Sequence, residues 1–190
     1  MSQVSENLRF LLWLKRVQRS EWAAVLGYWA NCDIGRAEEL LEGGEPAQHE
    51  LEHIARAVDY SEDALVRTSL LAAHGIDVLR ENILFLTERL GYGRKKDLAA
   101  ALKIHPTTIT KWRSGESHPR ESHLEALCRY FGLPASTNIE VEPIFLIVET
   151  REQREQRAWV RARIEKLDPE TWRLAYPFLK YLLTDFLPIP

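Results

Sequence analysis

The segment His49-Glu50-Leu51-Glu52-His53 has the H-E-x-x-H spacing, in which two histidines one helical turn apart can hold zinc while the first glutamate acts as general base. Three fixed positions make a weak signature, and catalysis on it would need a third ligand and a dry cleft. A second constellation lies further along. Thr107, Thr108, Thr110, Lys111 and Arg113 combine short hydroxyls with long cations, a set suited to base edges and phosphates of double-stranded DNA. From Arg94 to Arg113 there are six cations and one acid. His105, His118 and His123 flank this stretch at no usual ligand spacing, and His105 could meet phosphate. The chain has no G-x-x-x-x-G-K-[ST], no G-x-G-x-x-G and no cysteine pair spaced for metal, so no catalytic residue, metal or cofactor is assigned.

These residues need helices to position them, and helical periodicity dominates the chain, which reads as all-α. Residues 78–90 place Leu79, Ile83, Leu86 and Leu90 on one face, and Gly91 and Gly93 interrupt it. A helix over 95–102 turns Leu98, Ala99 and Leu102 inward. After a tight turn, a helix over 107–114 buries Ile109 and Trp112 and stops at Gly115. Pro106 suits the first turn of that helix, where its missing N–H is no loss. A last helix over 120–131 carries Leu124, Leu127, Cys128 and Phe131 inward. Two short helices with a small residue, Ala99, at their closest approach make a helix-turn-helix.

With Asp97-Leu98-Ala99, Ile109, Trp112, Gly115, Pro119 and Leu133 at these spacings, residues 76–135 resemble the Xre/Cro-like, or lambda-repressor-like, helix-turn-helix family of bacteria and phages. The resemblance implies DNA binding, with Lys95 near the backbone and Pro106, Thr107, Thr110 and Lys111 on the face presented to the major groove. Phosphate contacts are expected from Arg94, Lys95, Lys96 and Ser114, and base reading from Thr107, Thr108, Thr110, Lys111 and Arg113. The chain departs from the family where small capping residues usually stand before the second and third helices. Arg94 and His105 occupy those places, and a lost cap costs about 1 kcal/mol.

The same grammar runs through residues 1–75. Glu21-Trp22-Ala23-Ala24-Val25-Leu26 parallels Asp97 to Leu102, and after a turn longer by a few residues Ile34–Glu42 takes the recognition-helix place. Gly43 and Pro46 parallel Gly115 and Pro119, and Leu51, Ile54, Ala55 and Val58 parallel the core face of the last helix. This predicts tandem helix-turn-helix bundles followed by a C-terminal helical segment, 136–190. In the first copy Glu38, Glu39 and Glu42 replace Thr110, Lys111 and Ser114, and acids there repel phosphate. That copy is expected to act as a scaffold or protein-contact surface. Its apolar run Phe10-Leu11-Leu12-Trp13-Leu14 could face a partner or fill a local core with Trp22 and Trp29. The alignment also puts His49 and His53 at the flank of a fourth helix, without the apolar lead-in of a zinc-protease helix, which moves HELEH towards a structural role.

Residues 139–148 are rich in β-branched types and read as strand or helix. Residues 150–167 are helical in composition, and Arg151, Arg154, Arg157, Arg161 and Arg163 alternate with acids in the manner of a solvated face. Asp168-Pro169 then opens a helix, with a kink expected at Pro177. Its stripe of Trp172, Tyr176, Leu179, Leu183 and Phe186 would pack on the chain itself or on a second copy, as a homodimer interface.

The net charge of −3 hides an uneven distribution: 7 Lys/Arg against 12 Asp/Glu in residues 1–75, 10 against 7 in 76–135 and 8 against 9 in 136–190. Two cysteines do not make a disulfide framework, and no membrane span or secretory leader is read, so a cytoplasmic protein is expected. Cys128 reads as a small core residue, and Cys32, in a turn, could be a reactive thiol. Three functions follow in order: a DNA-binding repressor working as a homodimer, a protein-interaction adaptor, and a zinc hydrolase on HELEH.

Overall fold

The computed structural model describes residues 2–88, 90 and 94–186, the side chains of 181–186 excepted; Gly91 and Gly93, read above as breakers, lie outside the described residues. The described residues are helical with no strand among them. They form two compact units. One comprises the chain up to Ile76 with Leu146–Arg154, and the other Asp77–Phe145 with the residues from Glu155 onward.

The first unit contains α1 (Gln3–Leu14), α2 (Trp22–Ala30), α3 (Ile34–Glu42), α4 (Gln48–Val58), α5 (Glu62–Arg67) and α6 (Leu70–Ala73). Ser2, Asp33, Ser61 and Ser69 cap helices by accepting backbone N–H groups, as short polar side chains do at this position. Gly43 ends α3 at φ +117°, a left-handed geometry that an L side chain adopts only with strain. Phe10, Leu11, Leu12 and Trp22 are all but fully buried, and Trp29 is buried with them. Phe10, Leu11 and Leu12 therefore fill the unit's own core, the second of the two readings of this run, while Trp13 is partly buried and Leu14 exposed. The longer turn expected before α3 is also absent: α2 continues to Ala30, leaving only residues 31–33, with Asn31 at φ 53°.

The second unit contains α7 (Val78–Glu88), α8 (Arg94–Ala101), α9 (Pro106–Ser114) and α10 (Glu121–Tyr130). Its core gathers Leu79, Ile83, Leu98, Ala99, Leu102, Ile109, Trp112 and Leu127, with Leu124, Cys128 and Phe131 partly buried against them. Residues 139–148 are neither strand nor regular helix. They run as turns with one 3-10 turn, Ile144–Leu146. The reason is local and polar: Asn138 N–H donates to Glu142 at 2.7 Å, Glu140 N–H donates to Asn138 at 3.0 Å, and Asn82 takes up further backbone groups from α7.

Two further helices follow, α11 (Arg151–Ile164), with no buried residue, and α12 (Pro169–Phe186), with Pro177 inside it. Asp168 caps α12 by accepting the Thr171 N–H at 2.9 Å. No helix among the described residues is long and apolar enough to cross a membrane.

Candidate nucleic-acid interface

Helices α8 and α9 meet through Leu98, Ala99, Ile109 and Trp112, all buried. Between them the chain reverses with Lys103 at φ 54°, and Ile104 N–H donates to the Ala99 carbonyl at 2.9 Å. With Ile109 and Trp112 committed to the core, the helical period exposes the opposite face of α9. Thr107, Thr110, Lys111 and Ser114 are exposed there, while Thr108 and Arg113 are partly buried. Arg94, Lys95 and Lys96 are exposed on the first turn of α8, the helix that packs against α9.

Two of these side chains have internal partners. Thr107 Oγ1 lies 2.8 Å from His105 Nδ1, and Ser114 Oγ donates to Lys111 C=O at 3.1 Å and lies 2.9 Å from a Glu116 carboxylate oxygen. His105 also accepts the Thr107 N–H at 3.3 Å, so it caps α9 after all, and the expected loss of that cap is corrected.

The C-terminal end of α9 is held from α7. Arg80 Nε donates to the Arg113 carbonyl at 3.2 Å, which satisfies a helix-end acceptor and sets a cation at the negative end of the helix dipole. In the first unit, Ser5 Oγ donates to the Leu41 carbonyl at 2.8 Å, and the Arg9 guanidinium donates to the same oxygen from its buried position. Burial lowers the Arg9 pKa, and the charges of Glu6 and Glu42 oppose that shift. Helices α3 and α9 thus have the same nine-residue length, a glycine stop of positive φ and a carbonyl in the last turn capped from the unit's first helix.

Sequence reading missed these supporting groups, and with them Asn82 and its counterpart Asn7, whose amide donates to the Leu65 and Thr68 carbonyls. One signal could have found them: Glu6-Asn7-Leu8 and Phe10-Leu11 recur in order and spacing as Glu81-Asn82-Ile83 and Phe85-Leu86.

HELEH lies on α4. Glu50 is buried, whereas His49 is exposed and His53 partly so. Both Glu50 oxygens take Arg36 at 3.0 Å, and one accepts the Ala47 N–H at 2.7 Å. The Arg36 guanidinium holds the Glu50 carboxyl below the usual carboxylate range, and burial opposes that shift. Three hydrogen bonds thus tie both Glu50 oxygens to Arg36 and the Ala47 backbone, a structural role for the glutamate of HELEH. The described residues contain no cluster of three metal-ligating side chains. Burial pushes the Cys32 thiol up, with the Glu50 and Asp33 charges adding to the shift and Arg36 opposing it, a direction that disfavours the thiolate.

On α12, Trp172 and Tyr176 are exposed and Leu179 partly buried; the side chains of Leu183 and Phe186 lie outside the described residues. Leu174 and Phe178, not singled out from sequence, are each 74% exposed, the most exposed apolar side chains among the described residues of the helix.

A helix-turn-helix family profile matches residues 88–137. A 26 kDa repressor protein of Escherichia phage HK022 is 44% identical over 45 residues, covering 24% of this chain and 19% of the phage protein. The chain therefore spans less than a fifth of that relative's length. No solved structure matches the chain. Residues 88–137, whose described part includes the core-locked helices α8 and α9 around a tight turn, thus match a helix-turn-helix domain.

Proposed function

We propose that this protein is a sequence-specific DNA-binding transcriptional regulator, a repressor that binds a roughly palindromic operator as a homodimer. The observation that carries the reading is the exposed face of α9, where Thr110 and Lys111 stand clear of a helix fixed by Ile109 and Trp112; Arg94, Lys95 and Lys96 are exposed on the preceding helix. In this reading the cations of α8 set the register on phosphates, and Thr107, Thr108, Thr110, Lys111 and Arg113 meet base edges in the major groove. Ser114 adds a phosphate contact once its hydroxyl turns from Glu116. The similarity to a phage repressor supports repression by promoter occlusion. A dimer through α12 would set two α9 helices about one DNA turn, roughly 34–36 Å, apart.

The test is anisotropy titration on a selected operator. Lys111→Ala should cost about 1–3 kcal/mol on that site, while Lys96→Ala should weaken all sequences alike and lower the salt slope by about 1. No loss for either variant overturns the assignment.

The first unit is read as a degenerate copy of the same domain, supported by the shared helix-end caps and by acids where α9 carries Thr110, Lys111 and Ser114. Those acids favour a second reading, a protein-interaction adaptor. It wins if the chain neither binds mixed genomic fragments nor is retained on heparin at low salt.

A further inference from the structure

Helix α3 stands where a recognition helix would, and its outward acids already have a ligand. Arg154 Nη2 lies 2.9 Å from Glu38 Oε2 and 3.7 Å from Glu42 Oε1, and the Arg151 backbone N–H donates to Glu42 Oε1 at 2.6 Å. The same segment is pinned at its other end, where Leu146 is fully buried and the Arg19 guanidinium donates to the Ile147 carbonyl. Arg154 also donates to the Glu149 carbonyl at 2.7 Å, which holds its guanidinium in the geometry that meets both acids.

Glu39, on the same helix, takes no part. It pairs with Arg36 at 3.0 Å. Two acids of α3 are thus turned to one arginine of the chain's own return segment, while the third serves the unit internally.

We propose that α3 is an electrostatic latch whose partner is the arginine-bearing start of α11, and that Glu38 and Glu42 hold residues 146–154 on the first unit. The charge reversal relative to α9 gives the helix a cationic peptide in place of phosphate. The pairs are partly exposed, at 40% for Arg154 against 31% for Glu38 and 25% for Glu42, so salt screens them and the latch opens as ionic strength rises. Opening frees Arg154 from its carboxylates, which gives the chain a salt-dependent reserve of positive charge.

The test is amide hydrogen exchange in residues 149–155 of the full chain, paired with trypsin cleavage after Arg151. Glu38→Gln with Glu42→Gln should speed both by about three- to tenfold, the range expected of such pairs. Glu39→Gln removes the same type of charge from the same helix and should leave both rates at wild-type values. Reversing the pair with Glu38→Arg and Arg154→Glu should restore most of the protection that Arg154→Glu alone removes. In the unmodified protein, raising salt from about 50 mM to about 500 mM should reproduce the acceleration. Unchanged rates in the double variant, equal acceleration by Glu39→Gln, or salt-independent exchange would each overturn the latch. None of these readouts involves DNA, so the latch and the DNA-binding reading fail separately.

Discussion

Asn7 and Asn82 make the same three hydrogen bonds, each within its own unit. Asn7 Nδ2 donates to the carbonyls of Leu65 at 2.9 Å and Thr68 at 2.7 Å, and its Oδ1 accepts the Leu70 N–H at 3.0 Å. Asn82 Nδ2 donates to Ile139 at 2.8 Å and Glu142 at 2.7 Å, and its Oδ1 accepts the Phe145 N–H at 3.1 Å. The reach along the chain is 58, 61 and 63 residues in one case and 57, 60 and 63 in the other. Both side chains are fully buried. In each unit an amide on the first helix closes the fold by satisfying backbone groups of a segment that lies beyond the fourth helix.

Removing either amide should be costly. Asn7→Ala and Asn82→Ala lose three bonds each, at about 1 kcal/mol apiece before the cost of stranded carbonyls is added. Asn82→Asp should be worse than Asn82→Ala, because a carboxylate cannot donate to Ile139 and Glu142 and would face their oxygens. Denaturant unfolding gives the magnitudes, and hydrogen exchange locates each loss in its own unit.

The Arg36–Glu50 pair predicts an acid-sensitive first unit. The native Glu50 carboxyl is held below its unfolded value, so its contribution is fully present above the ordinary glutamate pKa, about 4.3, and is lost as pH falls through the depressed native value. Glu50→Gln should cost about 2 kcal/mol at neutral pH and flatten the stability profile below pH of about 4. Thermal unfolding of both proteins across that range checks it.

The turn between α8 and α9 stores backbone strain at Lys103, φ 54°. Glycine there relieves about 1 kcal/mol of left-handed strain and gives part of it back as chain entropy. Lys103→Gly should therefore raise stability by about 0.5 kcal/mol, measured by denaturant midpoint.

Ala99 and Ala100 separate packing from propensity. Ala99 is 1% exposed where α8 meets α9, whereas Ala100 is on the surface. Ala99→Leu should cost about 1–3 kcal/mol by overpacking and, by tilting α9, weaken DNA binding at every sequence. Ala100→Leu should stay within about 0.5 kcal/mol of wild type. Calorimetry with anisotropy distinguishes them.

The exposed apolar face of α12 predicts association. The wild-type chain should sediment at twice its 22.0 kDa mass, and Trp172→Ser with Tyr176→Ser should sediment at the single mass. A wild-type monomer at micromolar concentration would remove the dimer from the proposed mechanism.

Local rules written in the sequence determined the all-α class, the helix-turn-helix within residues 76–135 and the core role of Ile109 and Trp112. Apolar residues at helical spacing, a proline at the first turn and a glycine stop act over a few residues and need no knowledge of the rest of the chain. The flank position of His49 and His53 was legible for the same reason, since Leu51, Ile54, Ala55 and Val58 turn inward on α4. Only the tertiary structure decided what spans tens of residues. It showed that Glu50 belongs to Arg36, that Glu38 and Glu42 hold Arg154, that the bulk of α1 is spent on its own core, and that residues 139–145 follow the bonds of Asn82 rather than their β-branched composition. Such partners are set by how helices pack, and a buried amide or carboxylate takes whichever backbone group or charge that packing brings within about 3 Å, which no local pattern encodes.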